Sequence, residues 1–236
     1  MAEAFLSAAA AKSPAVAGTC AELGGLYTKK LWHQLTDKLE EVTRTETLHA
    51  DGFLLQLYAG FVQEIEPKLN ALRLAHLAVV VSGHYAERAQ SIAFLEATIT
   101  RLKQAADDGG RGAGSTMSGG MGVGGARAAG LADAVRRASE PALYLQMQVA
   151  LLTLQGGGIA EAKTMLDAGV TTLEGLTDVD PSVHASVHHT ACLLHKAKQE
   201  FAAFYRSGTL YLAYISVDSL DPITRMVRAP PIMPDA

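Results

Sequence analysis

The chain has little of what builds disulfide-bonded, β-rich or membrane-spanning proteins. Its 236 residues include two cysteines, Cys20 and Cys192. Two thiols exclude a disulfide framework and fit a reducing compartment. Aromatics make up 6% of the residues, with one tryptophan. A β-sandwich core asks for more Val, Tyr, Phe and Trp than this. No apolar run approaches the roughly 20 residues that span a bilayer; the best, Leu74 to Val81, is short and contains His76. Net charge is −4, with no surplus of Lys and Arg, which argues against a general nucleic-acid binder. The Ala-rich start carries Glu3 and Lys12 and has no arginine before Arg44. It lacks the basic start of a secretory signal and the arginines of a transit peptide, and residues 1–18 are read as a flexible leader, with a plastid or secretory signal as the lesser alternative.

What is present is alanine and leucine. There are 40 alanines, and 49% of the chain is hydrophobic. Such a composition favours closely packed helices. Leu31, Leu35 and Leu39 recur every four residues. Phe53, Leu54, Leu57, Tyr58, Phe61, Val62 and Ile65 follow helical spacing, with Asp51 as the expected cap and Pro67 as the stop. Further helices are expected over 70–81, closed by Gly83, and over 86–102. Ser139-Glu140-Pro141 reads as a helix start. The leucine-rich run that follows turns at Gly156-Gly157-Gly158, and Ile159 to Leu173 is amphipathic with Ala162, Met165, Leu166 and Val170 inward. Small Ala160 and Ala162 are expected to let that helix approach its neighbour. Asp180-Pro181 opens a helix to about Gln199, and Phe201 to Val217 forms the last.

Two segments interrupt this pattern. Nine of the seventeen residues from Gly109 to Gly125 are glycine, so residues 107–130 are expected to be a disordered insertion with little to bury. Residues 219–236 hold four of the eight prolines and are expected to be an irregular tail. Between them lie two helical blocks, residues 19–106 and 131–218. The expected fold is all-α, an α-solenoid of antiparallel, tetratricopeptide-like helix pairs.

The sharpest chemical constellation is His184, His188, Cys192 and His195. On a helix these fall within about 80° of one another, at 100° per residue. Imidazole and thiolate are zinc ligands, yet His184 and Cys192 stand about 12 Å apart along the axis at 1.5 Å per residue. One ion could take only neighbouring members. The preferred reading is a small core cysteine with histidines along a helix–helix groove, so no metal site is assigned. The glycine run lacks the Lys of a P-loop and follows no strand. No Gly-x-Ser-x-Gly, His-Glu-x-x-His or Cys-x-x-Cys motif occurs. No catalytic residue, cofactor or small-molecule ligand is expected, and the chain reads as a non-enzyme.

The run Leu26-Tyr27-Thr28-Lys29-Lys30-Leu31-Trp32-His33-Gln34-Leu35-Thr36 closely resembles the proteasome lid subunits of the non-ATPase regulatory subunit 13 family. Asp51-Gly52-Phe53-Leu54-Leu55-Gln56-Leu57-Tyr58 is similar to that family as well, as is Phe94-Leu95-Glu96-Ala97-Thr98 ahead of Arg101. Ser182-Val183-His184 and Phe204-Tyr205-Arg206 with Tyr211 and Leu212 add weaker matches, Gly208 and Thr209 standing where the family prefers helix formers. The resemblance covers roughly 21–102 and 139–220. It implies a helical-repeat arm, with the C-terminal PCI and winged-helix module missing from this sequence. It also implies a non-catalytic scaffold, cytoplasmic and nuclear, whose partners are other proteasome lid subunits. The alternatives are a free-standing helical adaptor for peptides or proteins and a subunit of a sister PCI complex.

Overall fold

The computed structural model describes residues 2–45, 52–112 and 124–215, and the side chains of all of these except 14, 15 and 106–137. Among the described residues every regular element is a helix and no strand occurs. The chain divides into two compact units, Met1–Pro141 and Ala142–Ala236.

The first unit begins with α1 (Ala2–Lys12) and α2 (Pro14–Thr28), separated by Ser13. Pro14 sits in the first turn of α2, where its missing N–H costs nothing. The pair is antiparallel. Leu6 lies opposite Gly24, and the Thr28 hydroxyl donates to Glu3 Oε1 at 3.3 Å. Residues 2–12 and 14–18, expected as a flexible leader, are helical here. Ala2, Leu6 and Val16 are buried, and Phe5 lies so close over Gly60 that a Cβ there would stand 2.4 Å from its ring. Alanine offers little apolar area to a pattern search, yet it has the highest helix propensity and fits where helices approach closely.

Helix α3 (Trp32–Arg44) buries Leu35, Thr36, Leu39 and Val42. After Gly52, which is left-handed at φ 68°, come α4 (Phe53–Leu57), a π-helical turn (Tyr58–Val62), α5 (Gln63–Ile65) and a 3₁₀ turn (Glu66–Lys68). The expected cap Asp51 lies outside the described residues, whereas Pro67 does end the helical run. Asn70 caps α6 (Ala71–Ser82), its side-chain oxygen accepting from the N–H groups of Leu72 and Arg73 at 3.0 and 3.1 Å. Helix α7 (Arg88–Gly112) follows.

Two charge clamps hold these helices in register. Arg73 on α6 donates to Asp37 Oδ1 at 2.6 Å and to Glu40 Oε1 at 2.7 Å, both on α3. Its guanidinium holds the Asp37 carboxyl below the ordinary range. The second clamp is more enclosed. Arg101 on α7 grips Glu66 with two hydrogen bonds, Nε to Oε2 at 3.0 Å and Nη2 to Oε1 at 3.1 Å. The same Nη2 donates to Thr98 Oγ1 at 2.9 Å, and the Tyr58 hydroxyl donates to Glu66 Oε1 at 3.0 Å. Burial, then the Glu66 charge, pushes the Tyr58 hydroxyl far above its ordinary pKa. It stays a neutral donor at any working pH. The Tyr58 ring meets Phe94 edge-on at 5.0 Å. A two-point arginine–carboxylate pair fixes both distance and rotation between elements.

The second unit contains the end of α8 (Gly124–Gln155), then α9 (Ile159–Glu174), α10 (Pro181–Ala197) and α11 (Phe201–Tyr214). Pro141 does not start a helix; α8 runs through it. The residues before it, Ala126 to Ala138, are rich in alanine and carry the helix into the Ser-Glu-Pro signal from the other side. The unit boundary nonetheless falls at Pro141. The glycine turn at 156–158 is observed, with Gly157 at φ 88°. It folds α9 back on α8. Ala162 and Leu166 point inward as expected, but Val170 and Ala160 are exposed. The close approach is made by Gly169, where a Cβ would stand 2.5 Å from Met147 Cε and 3.2 Å from Leu143 Cδ1. Buried Thr190 on α10 also reaches toward the Met147 carbonyl, at 3.5 Å. Of the expected insertion, residues 113–123 lie outside the described residues, while α7 extends to Gly112 and α8 begins at Gly124. The tail 219–236 also lies outside them.

Glu66→Ala is expected to destabilise the first unit by about 3 kcal/mol, because it leaves Arg101 and the Tyr58 hydroxyl without their shared acceptor; urea melts of the two proteins measure this. Gly169→Leu is expected to cost about 1–3 kcal/mol by overpacking against Met147 and Leu143, read in the same melts.

Candidate interaction surface

The side chains singled out in the sequence for their chemistry lie on the hairpin formed by α10 and α11. Asp180 starts α10, accepting from the Ser182 N–H at 2.8 Å and the Ser182 hydroxyl at 2.6 Å, with Pro181 in the first turn. Val183, Val187, Thr190 and Leu194 form the buried stripe of α10. The hairpin is antiparallel, since early α10 meets late α11. His184 stacks on Tyr214 with ring centres 4.6 Å apart and planes 7° from parallel. His188 meets the same ring at 5.6 Å, and His189 stacks on Tyr211 at 4.8 Å. One turn further along, Cys192 Sγ would lie 3.6 Å from a Cβ on Gly208. Near the loop, His195 Nδ1 is 2.7 Å from Glu200 Oε2, and Lys198 also pairs with Glu200.

These partners define what the cluster does. The four candidate zinc ligands are directed to separate neighbours: two imidazoles to a tyrosine ring, Cys192 to a backbone approach, and His195 to a carboxylate. Among the described residues no three of His, Cys, Asp and Glu gather as one ion requires. Burial raises the Cys192 thiol, with Lys196 only partly opposing it, so it is poorly suited to be a nucleophile. Burial also pushes the Tyr144 hydroxyl up to about 12, with Tyr211 adding to the shift. The rings pack against one another between α10 and α11. Gly208 and Thr209 do not interrupt α11, which continues through both.

The sequence reading did not single out the other side of α11. Ser207 is its only buried residue, while Phe201 is 64% exposed, Tyr205 71% and Leu212 64%. Leu210 is exposed as well. The signal was present in the composition: fourteen residues, Phe201 to Tyr214, carry one charge, Arg206. A helix apolar all round ordinarily lies between two neighbours. Here α10 covers one side.

Comparison with known proteins places this geometry in a lineage. Residues 19–232 match the family model described as PSD13 N-terminal repeats. The chain belongs to this family. It is 39% identical to the 26S proteasome non-ATPase regulatory subunit 13 homolog B of Arabidopsis thaliana over 198 residues, 84% of this chain and 44% of that protein. It is 38% identical to homolog A of the same plant over equal shares. The probable 26S proteasome regulatory subunit rpn9 of Schizosaccharomyces pombe is 22% identical over 204 residues, 86% of this chain and 45% of that protein. The chain thus spans less than half the length of the curated relatives it matches. The residues that carried the PSD13 resemblance have structural roles. Tyr27 meets Trp32 edge-on at 6.0 Å and Phe61 at 5.8 Å, tying α2 to α3 and the π-helical turn. Trp32 is half-buried in that corner rather than sealed in a core. Tyr58, Phe94, Thr98 and Arg101 make up most of the Glu66 clamp.

Burial lowers the pKa of His188, with the neighbouring His184 adding to the effect, and burial alone lowers that of His189. The unfolded chain then binds more protons than the folded one just below the ordinary histidine pKa of about 6.5. Stability of the second unit should therefore hold above neutrality and decline as pH falls through that value. Melts across pH 5 to 8 check this, and a His188→Gln/His189→Gln variant should show a flatter profile.

Proposed function

We propose that this chain is a non-catalytic helical scaffold in the regulatory-particle lid of the proteasome. There it supports lid assembly and ubiquitin-dependent protein degradation in cytoplasm and nucleus, with other lid subunits as its partners. The observation that carries the reading is 39% identity, sustained over 84% of the chain, to a 26S proteasome regulatory subunit named as non-ATPase. The fold agrees with such a role. Stacked helix pairs offer extended surface to protein partners and bury their apolar residues only against neighbours. Among the described residues no helix is long and apolar enough to cross a membrane.

Affinity purification of the tagged chain from its own cells tests the proposal. Mass spectrometry should recover proteasome regulatory-particle subunits in near-stoichiometric amounts, and the recovery should survive a wash at moderate salt. Recovery of one chaperone or peptide partner without those subunits would favour a free-standing adaptor instead.

A further inference from the structure

We propose that α1 is a latch helix over a helix-binding seat at Gly60 on the π-helical turn. The chain's own α1 fills the seat when the latch is shut. When it opens, the seat takes an α-helix of a partner polypeptide that presents an aromatic residue followed by an aliphatic one among small residues.

The seat is made by a missing side chain. Tyr58, Phe61 and Val62 of the π-helical turn are buried, and Gly60 lies under the Phe5 ring. A Cβ at Gly60 would stand 2.8 Å from both Cε2 and Cγ of that ring, so the ring occupies the room that any other residue would fill. Tyr27 meets Phe61 edge-on at 5.8 Å, which ties the floor of the seat to α2. Single π-helical turns set within α-helices recur at functional sites.

The occupant is lightly held. Six of the eleven residues of α1 are alanine, and its two large apolar side chains are Phe5 and Leu6. Leu6 is buried and Phe5 half-buried. Its polar tie to α2 is the exposed bond from Thr28 to Glu3, at 3.3 Å. By contrast, Arg73 grips α6 to α3, and Arg101 holds α7 to Glu66. Eleven residues are too few to stay helical alone in water, so α1 keeps its helix only while seated. Ser13 joins it to α2 in an extended conformation, φ −138° and ψ 115°. Pro14 bars a continuous helix through that joint. The result is a short element on a one-residue hinge, with few buried contacts, and such elements open before the fold as a whole.

The chemistry of the partner follows from what already fits. The matched PSD13 repeats begin at residue 19, after α1, so α1 is laid on them from outside the matched segment. A helix received in an apolar seat is recognised by its anchor side chains, and here the anchors are an aromatic ring over Gly60 and the aliphatic residue next to it. The docking of α1 does not depend on incorporation into the regulatory particle.

The test uses the 236-residue chain and a fluorescent peptide of residues 2–12, read by anisotropy. Phe5→Ala/Leu6→Ala frees the seat, and that chain should bind the peptide at least tenfold more tightly than the unsubstituted chain. Adding Gly60→Ala to the double variant fills the seat and should abolish the binding. A peptide carrying Phe5→Ala should not bind. Equal binding by the double variant and the unsubstituted chain overturns the proposal, as does binding that survives Gly60→Ala. Hydrogen exchange of the unsubstituted chain gives a second reading that needs no variant. The amides of α1 should exchange at least tenfold faster than those of Leu39 and Val42 on α3; equal rates mean that α1 opens only with the fold and overturn the latch. Sedimentation covers the remaining occupant. A concentration-dependent dimer that Gly60→Ala abolishes would give the seat to α1 of a second copy, and that too overturns the proposal.

Discussion

Helices in this chain close on one another where a small residue stands opposite a large one. Gly60 lies under the Phe5 ring, Gly169 against Met147 and Leu143, and Gly208 beside Cys192. At the first two positions even a methyl group would collide with a neighbour. The rest of the packing follows from this. With aromatics at 6% of the residues, apolar area must come from many short contacts, and these require axes that lie close together. Interiors are packed nearly as densely as organic crystals, so one added side chain at such a point displaces the partner helix.

Close approach sets distance but not register. In the first unit register comes from charge. Glu66 opens the 3₁₀ turn that closes its helical run, where Arg101 on α7 can grip both carboxylate oxygens, and Tyr58 supplies the remaining donor. The acceptor, the cation and the hydroxyl are all satisfied together, which is the condition for a partly buried ion pair to hold a fold rather than weaken it. In the second unit stacked rings take that place. His184 and His188 share Tyr214, and His189 takes Tyr211. Burial disfavours the charged form of His188 and His189, since a neutral ring stacks without the desolvation cost of a charge. The two units thus reach the same architecture, antiparallel helix pairs, with different side-chain chemistry.

This bears on function through what the side chains are occupied with. The residues that drew attention for their chemistry, three histidines and a cysteine on α10, have packing partners. On α11, Phe201, Tyr205 and Leu212 are more than half exposed.

Much of this was legible in the sequence, for reasons that can be named. Helical period, the Asp180-Pro181 start and the glycine turn at 156–158 are local signals, decided by a few adjacent residues, and they act in the fold as they read in the chain. The PSD13 likeness was legible because an aromatic and basic run as long as Leu26 to Thr36 is rarely matched by accident. Tertiary structure decided the rest. Whether Ser-Glu-Pro starts a helix or lies within one depends on the alanine-rich chain before it. Whether residues 2–18 fold depends on Phe5 finding Gly60, more than fifty residues away. Gly169 is buried where periodicity had put Val170 inward, since it is Gly169 that lies against the neighbouring helix's Met147. The exposed side of α11 is of the same kind: composition makes the helix apolar all round, and only the position of α10 shows which side has been used.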